Sequence, residues 1–548
     1  MRDFRTRASA CDLCNLLYAV SQKIGLQEDQ ELQCARNGPT LNLNGREGLP
    51  VLSLFSDPAY NTHDVGSVQV GCPTLSPPES PERYRLFQEW LHVCDNEHGH
   101  ARDASSGGCA VQMPTRLIQV GESREHLIDV RESGFLRYIA LSHCWGGRTS
   151  LSTLTDNIDK FRSEIPHEQL PLNFQEAIKI TRALKISYLW IDSLCIIQDD
   201  PEDWRREAAR MGQVFSNAYC TIAATSAAAS NEGFLTPKFN STLSATVETP
   251  RGSLLHISEF MEDCNRDLES APLNTRGWVM QERALSRRTL HFTKTQAYWE
   301  CGNGLHCERL FKLSNPQSAL FADSDFPKAI LKYYKGGRIT LFQNLYEKYS
   351  RLNFSYNSDR PVAILGLEKH LSTVLQTRGE FGVFEQYLAR SLLWSRPEDI
   401  FLKSITFQDD HRVPSWSWMA YEGPITYANI PFDKVEWSTD CLLQSGEETD
   451  TDSNRTVLKA VARDIKLDKL DMQDRVKLDE GPGFEPSSLR GIVLGKDKKR
   501  ESRAQVHYVL LVTLSADEPE QAKVYVRVGV AWLLEHNIAR DGEDVVIY

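Results

Sequence analysis

The stretch at residues 188–197, YLWIDSLCII, most narrows the folds open to this chain. Its only polar members are Asp192 and Ser193. A near-continuous apolar run of this length reads as a strand buried on both faces, the kind found in parallel sheets covered by helices. Two more runs share its texture, residues 136–143 (LRYIALSH) and 219–224 (YCTIAA). Between them, residues 172–184 place Phe174, Ala177, Ile178 and Thr181 on one helical face, and residues 203–217 read as a second amphipathic helix. Strand, helix, strand, helix, strand is a repeated βαβ pattern. It predicts an α/β core over residues 131–310 with a mainly parallel sheet flanked by helices. Right-handed crossovers would bring the C-terminal strand ends to one edge, where open α/β sheets bind ligands.

The flanks read differently. Residues 1–130 form a cysteine-containing N-terminal region with loop-like runs at 37–48 and 73–81. A helical face spans 13–24, and a helix is expected from about 82 to 97, carrying Tyr84, Phe87, Trp90, Leu91 and Cys94. Within the core, residues 278–284 read as helical, followed by strand candidates at 289–292 and 296–300. Residues 311–440 read as a helical extension, with helices at 341–351, 360–377 and 384–394. It ends in a Trp-rich strand in which Trp416 and Trp418 share one face. After an acidic, turn-rich linker at 447–452, residues 441–548 read as a β-rich module with strands at 456–462, 491–494, 506–514 and 523–532. No internal repeat of fixed period is present.

Charge excludes some partners. The 548 residues hold 62 Lys and Arg against 74 Asp and Glu, a net charge of −12. That balance argues against broad electrostatic binding to nucleic acid or to anionic membrane. The N-terminal apolar stretch is interrupted by Asp12, Cys14 and Asn15, so a signal peptide is not expected. No window reaches the roughly 20 apolar residues of a membrane span. A soluble, cytoplasmic protein is therefore expected. Thirteen cysteines cannot all pair within one chain, and in a reducing compartment they serve as small hydrophobes, metal ligands or reactive thiols.

Three blocks, YIALSHCWGG (138–147), YLWIDSLCIIQDD (188–200) and TRGWVMQERALS (275–286), resemble the fungal heterokaryon-incompatibility (HET) domain family and occur in its order. Asp203, Trp204, Met211, Phe215, Ala218 and TIAA (221–224) fit one branch of that family. Cys94-x3-His98 after Trp90, PSWSW (414–418) and YVRVG (525–529) resemble flanking segments of full-length members. The resemblance implies a role in non-self recognition and programmed cell death between fungal cells of unlike genotype, through self-association or a protein partner. By a further analogy the family resembles TIR domains, some of which cleave NAD at the nicotinamide–ribose bond, so a TIR-like fold and NAD hydrolysis are implied expectations. The alternatives are a non-enzymatic signalling or scaffold module, or an accessory protein of fungal metabolism.

The residues themselves suggest where chemistry would lie. Asp192 is costly to bury unpaired. It is expected at the strand's C-terminal end, either facing a ligand, with ribose hydroxyls as one class, or capping a helix or pairing with Arg276. Cleavage of an N-glycosidic bond needs a carboxylate near the developing positive charge on the sugar, a role open to Asp192, Glu282 or Glu207. Glu207 shares a helix face with Trp204 and Met211, and the ordinary alternative for both glutamates is solvation or pairing with Arg205, Arg206 or Arg283. Ser142, His143, Trp145 and Gly146 end the first strand, and Arg276, Trp278 and Gln281 join them as ligand-binding candidates. His143 and Cys144 are adjacent on a strand and so face opposite ways, which disfavours a dyad. For a structural zinc, Cys11, Cys14, Cys94 and His98 offer a Cys3His set, with His100 and Cys109 as alternative ligands and the Cys301, His306 and Cys307 group as a weaker one. Helix packing is the competing reading of these cysteines.

Overall fold

The computed structural model describes residues 2–27, 33–43, 50–56, 68–98, 112–121, 124–130, 134–147, 151–238, 243–250, 252–261, 263–313, 335–407, 413–444, 456–467, 470, 474–481, 485–498, 505–516 and 523–548. The chain divides into two compact units, Met1–Phe326 and Pro327–Tyr548. The expected linker at 447–452 and the alternative ligands His100 and Cys109 lie outside the described residues.

The first unit begins with α1 (Arg2–Arg7) and α2 (Asp12–Lys23), then β1 (Cys34–Asn37), β2 (Thr40–Leu43), β3 (Leu52–Ser56) and α3 (Pro81–Asn96). Next come β4 (Arg116–Val120), β5 (Glu125–Asp129), β6 (Ile139–Ser142), α4 (Ile158–Ser163), α5 (Leu172–Ala183) and β7 (Tyr188–Trp190). They are followed by α6 (Asp192–Cys195), α7 (Pro201–Ala208), α8 (Met211–Asn217), β8 (Cys220–Ala223), β9 (Ser244–Glu248) and β10 (Leu254–Glu259). The unit closes with α9 (Gly277–Leu285), β11 (Arg288–Phe292), β12 (Ala297–Cys301), β13 (Gly304–Cys307) and β14 (Lys312–Leu313).

Nine of these strands form one sheet in the order β14-β13-β12-β11-β8-β6-β7-β4-β5. Only the pairs β6–β7, β6–β8 and β8–β11 are parallel. The expected mainly parallel sheet is thus corrected to a mixed one, parallel at its centre and antiparallel on both sides. Chain length between strands explains the difference. Antiparallel neighbours close through short loops, whereas a parallel pair needs a crossover of a dozen or more residues. Phe292 and Ala297 bracket a short loop, and only Gly302 and Asn303 separate β12 from β13. The β4–β5 hairpin, which adds the opposite edge, is likewise short.

The second apolar run is also shorter as a strand than expected. It pairs as β7 only through Trp190, then turns into α6 at Asp192. The Asp192 side chain accepts from its neighbour Ser193 N–H at 2.7 Å and its carbonyl accepts from Ile196 N–H at 3.0 Å. Leu194, Cys195 and Ile196 stay buried in the turn, so apolar texture alone could not separate strand from helix. Similarly, the expected helix at 203–217 is two helices, α7 and α8, the first started by Asp200 accepting from the N–H groups of Glu202 and Asp203. The core is built from β6, β7 and β8 with Phe174, Ala177 and Ile178 of α5 and Met211, Val214 and Phe215 of α8.

The N-terminal region, read as mostly irregular, contributes a second sheet in the order β1-β2-β3-β10-β9, antiparallel throughout. Leu16 and Val20 of α2 pack on Leu43, Leu52 and Ala245 of that sheet.

The second unit has helices Lys335–Ser350, Leu365–Leu375 and Leu388–Leu392, then a β-rich module. Strands Val457–Ile465, Arg490–Asp497, Val506–Leu514, Val524–Leu534 and Ile538–Ile547 pair in sequence, and the last also pairs with the first, which closes a ring. Closure removes free edges. Trp416 and Trp418 are fully buried as core residues, but not on a strand: Trp418 opens a 3-10 turn in which Ser417 accepts from Met419 N–H. Arg527 is buried over the ring of Trp394. Its Nε lies 2.9 Å from Asp479, and its terminal nitrogens donate to the Leu392 and Trp394 carbonyls at 2.7 and 2.6 Å. Removing one partner of a buried ion pair leaves an uncompensated charge. Arg527→Ala should therefore cost about 3–5 kcal/mol, read as a lower urea midpoint of the full chain. A loss under about 1 kcal/mol, the range of an exposed pair, would contradict this account of the core.

Candidate functional site at the ends of the parallel strands

Because β7, β6, β8 and β11 are parallel, their C-terminal ends lie at one edge of the sheet. The chain passes from β6 to its neighbour β7, then crosses to β8 on the other side of β6. That reversal makes the ends of β6 and β8 a topological switch point, the usual ligand position in open α/β sheets. Ser142 ends β6 in register with Ala223, and Ala224 N–H donates to the Ser142 carbonyl at 3.0 Å.

Two carboxylates converge here. Asp192, just past β7, accepts from the Trp145 indole Nε1–H at 2.7 Å, and its other oxygen lies 3.8 Å from His143 Nδ1. Its side chain is 22% exposed, against 1% for His143. His143 packs edge-on against Phe174, and its Nε2 is buried without a hydrogen-bond partner among the described residues. Burial pushes the His143 pKa down, opposed by the Asp192 charge and aided by Arg276, so the imidazole is neutral near pH 7. Arg276 donates to the His143 carbonyl at 2.6 Å rather than pairing with Asp192.

Glu282 comes from α9, which is buried along Val279–Leu285. Its carboxyl accepts from the Ser142 hydroxyl. Burial drives its pKa up to about 7, the Ser142 bond opposes this, Asp192 adds to it and Arg276 opposes it. A neighbouring pair shows the contrast. Glu300 is as deeply buried, and burial alone would raise its pKa, but the Arg283 charge and the hydrogen bonds from His291 and Arg283 hold it well below the usual carboxylate range. Arg283 bonds both Glu300 oxygens at 2.9 Å and Glu269 at 2.9 Å, so it is a buried partner of those groups, not the surface partner of Glu282 expected from sequence. Glu282 thus holds its proton near neutrality and Glu300 does not.

The structure brings together Ser142, His143, Trp145, Asp192, Arg276 and Glu282. Gly146 lies beside Trp145 at a φ of +70°, and a Cβ there would stand 2.0 Å from the Ala229 Cβ. Its glycine is therefore required by the chain's own packing. Trp278 is half-buried against the main core, and Gln281 is buried on α9. Glu207 is elsewhere: it accepts from Thr115 Oγ1 at 2.5 Å and pairs with Arg206 Nε at 3.2 Å. Cys144 faces Ala223, Leu273 and Val279, away from the His143 ring's partners. Sequence reading missed Thr153, whose N–H and hydroxyl bond the Ser193 and Leu194 carbonyls at 2.9 and 2.6 Å and hold the turn. It also missed the His291–Glu300 pair, which was visible as single polar residues inside the apolar runs TLHF and AYWEC.

The expected Cys3His set is divided. Cys11 caps α2, with its Sγ accepting from Cys14 N–H at 3.3 Å. Cys94 and His98 instead lie with Cys301, and these three form the one group of potential metal ligands among the described residues.

Residues 138–282 match the family model described as Heterokaryon incompatibility protein (HET). The chain carries a HET domain. The matched span begins at Tyr138, one residue before β6, and ends at Glu282, so the HET domain contains both carboxylates and the Ser142 that joins β6 to α9. Comparisons with curated proteins and with solved structures give no match. No helix among the described residues is long and apolar enough to cross a membrane.

The raised Glu282 pKa has a stability consequence of definite sign. A carboxyl whose pKa rises from 4.5 unfolded to about 7 folded contributes stability that is complete below pH 4.5 and is lost as pH rises through 7. The total is on the order of 3 kcal/mol at 1.36 kcal/mol per unit. Glu282→Gln removes this dependence. The unfolding free energy of the native chain minus that of the variant should fall by about 3 kcal/mol between pH 4.5 and 7. A flat difference would mean the carboxyl is ionised when folded.

Proposed function

We propose that this HET-domain protein is an effector of heterokaryon incompatibility that acts in the cytoplasm by cleaving NAD at the nicotinamide–ribose bond. The supporting observation is the pair of unlike carboxyl groups at the switch point: Asp192, partly exposed and held by Trp145 Nε1–H, and Glu282, buried with a pKa of about 7. Two carboxyl groups in unlike surroundings, one partly exposed and one buried, suit glycosidic chemistry. In this reading Asp192 faces the ribose and stabilises positive charge at C1′ as the C1′–N bond breaks and nicotinamide leaves with the electron pair. Water then adds at C1′ and loses a proton to a carboxylate. Trp145 offers an aromatic face, and His143, whose Nδ1 lies 3.8 Å from Asp192, has a buried Nε2 with no hydrogen-bond partner among the described residues. The TIR-like fold enters as analogy only. Self-association or a partner of unlike genotype would trigger the activity.

A second reading is favoured by one observation: Glu282 and Ser142 are both buried and satisfy each other, as in a non-enzymatic signalling or scaffold module. Nicotinamide release by the concentrated full chain separates the two. The enzymatic reading expects turnover, lowered about 10²-fold or more by Asp192→Ala, with Glu207→Ala altering stability but not the chemical step. Absence of turnover in the concentrated or enforced oligomer leaves the signalling reading. Turnover unaffected by Asp192→Ala sinks the assignment of that residue.

A further inference from the structure

Outside the HET domain, three chemically soft side chains converge from distant parts of the chain. Cys94 lies on the last turn of α3 and His98 follows just past the helix end. Cys301 ends β12. The Sγ atoms of Cys94 and Cys301 and a ring nitrogen of His98 all lie within 4.8 Å of one another, and Cys301 Sγ is 3.6 Å from His98 Nδ1. Zinc bonds of about 2.3 Å to sulfur and 2.0–2.1 Å to nitrogen, at tetrahedral angles, require a sulfur–nitrogen edge of roughly 3.6 Å. The observed Cys301–His98 separation matches that edge.

His306 on the adjoining strand stands outside that group of three but shares its side of the sheet. In the β12–β13 register, Cys301 faces Gly304 and Trp299 faces His306. Residues opposite one another share a sheet face, so His306 lies on the same face as Cys301, one diagonal step away. Such diagonal neighbours are about 7–8 Å apart at the backbone and within reach of long side chains. Cys94 and Cys301 are buried, while His98 and His306 are half-buried, which leaves an entry path.

We propose that Cys94, His98, Cys301 and His306 form a structural zinc site. Two thiolates and two imidazoles in tetrahedral arrangement select zinc over harder cations. The ligands flank the span 138–282 on both sides, so the ion would tie α3, which precedes the HET domain, to the hairpin that follows it. That closes a loop of some two hundred residues, the kind of constraint that removes much freedom from the unfolded chain. Binding would release the thiol protons to solvent, because the thiolate is the ligand. This assignment is independent of the NAD reading and leaves Cys11 and Cys14 out of the site.

The test measures metal in untagged, natively purified full chain and follows it through variants. One zinc per chain is expected, with Cys94→Ser and Cys301→Ser weakening retention against a chelator more than about tenfold, and Cys11→Ser and Cys14→Ser leaving it unchanged. Cobalt-substituted native protein should show thiolate charge-transfer and tetrahedral d–d absorption, and His306→Gln should shift the d–d bands while keeping the charge-transfer band. The cobalt spectrum decides the matter even if the cysteine variants fail to fold. A native chain without zinc and without cobalt–thiolate bands overturns the proposal. So does an intact mass lowered by two hydrogens from a Cys94–Cys301 disulfide, or loss of zinc on changing Cys11 or Cys14.

Discussion

The bond from the Trp145 indole to the Asp192 carboxylate is the interaction on which the site depends. It joins the segments that leave two adjacent parallel strands, β6 and β7, just where both must turn. An ionised carboxylate at the end of an apolar strand is expensive unless hydrogen-bonded. Here the Asp192 carboxyl accepts from the indole N–H and the Ser193 N–H, with the His143 ring 3.8 Å away. Those contacts stop β7 at Trp190, start α6, and hold Trp145 and His143 in fixed positions relative to the strand ends. Thr153 secures the same turn from the other side through two backbone carbonyls.

The helix α9 then divides two buried acid groups by their partners. Consecutive residues on a helix point about 100° apart, so Glu282 and Arg283 serve different neighbours. Glu282 reaches Ser142 at the strand end, and Arg283 reaches Glu300 and Glu269 behind it. The one carboxyl has only a hydroxyl and is held near neutral pH in its acid form. The other has a guanidinium and an imidazole and is held ionised. Equal burial with unequal partners thus leaves Glu282, and not Glu300, able to carry a proton at the strand ends.

Much of this was legible in the sequence, and the failures have physical causes. The central strands β6, β7 and β8 announced themselves because both their faces are buried, and Asp192 stood out because nothing else polar but Ser193 interrupts its run. The antiparallel flanks were missed because apolar texture reports burial and not direction. Direction followed from loop length, as in the two-residue Gly302-Asn303 connection. The strand Ile538–Ile547 went unread because Arg540, Asp541, Glu543 and Asp544 mask its alternation. The N-terminal sheet was hidden for another reason: its short strands pair across some two hundred residues, as β3 does with β10. Long-range pairing also explains the metal ligands. The Cys94-x3-His98 spacing was visible, but its companion Cys301 is brought in by tertiary structure alone, so Cys11 and Cys14 stood in its place.

The central claim is that the edge formed by Ser142–Trp145, Asp192 and α9 receives a ligand of the NAD class. Hydrogen exchange of the full chain with and without NAD tests it most directly. Slowed exchange confined to the segments around 142–147, 191–198 and 276–283 is the expected result, lost in Trp145→Ala. No change on adding NAD, or protection placed wholly elsewhere, would contradict the account.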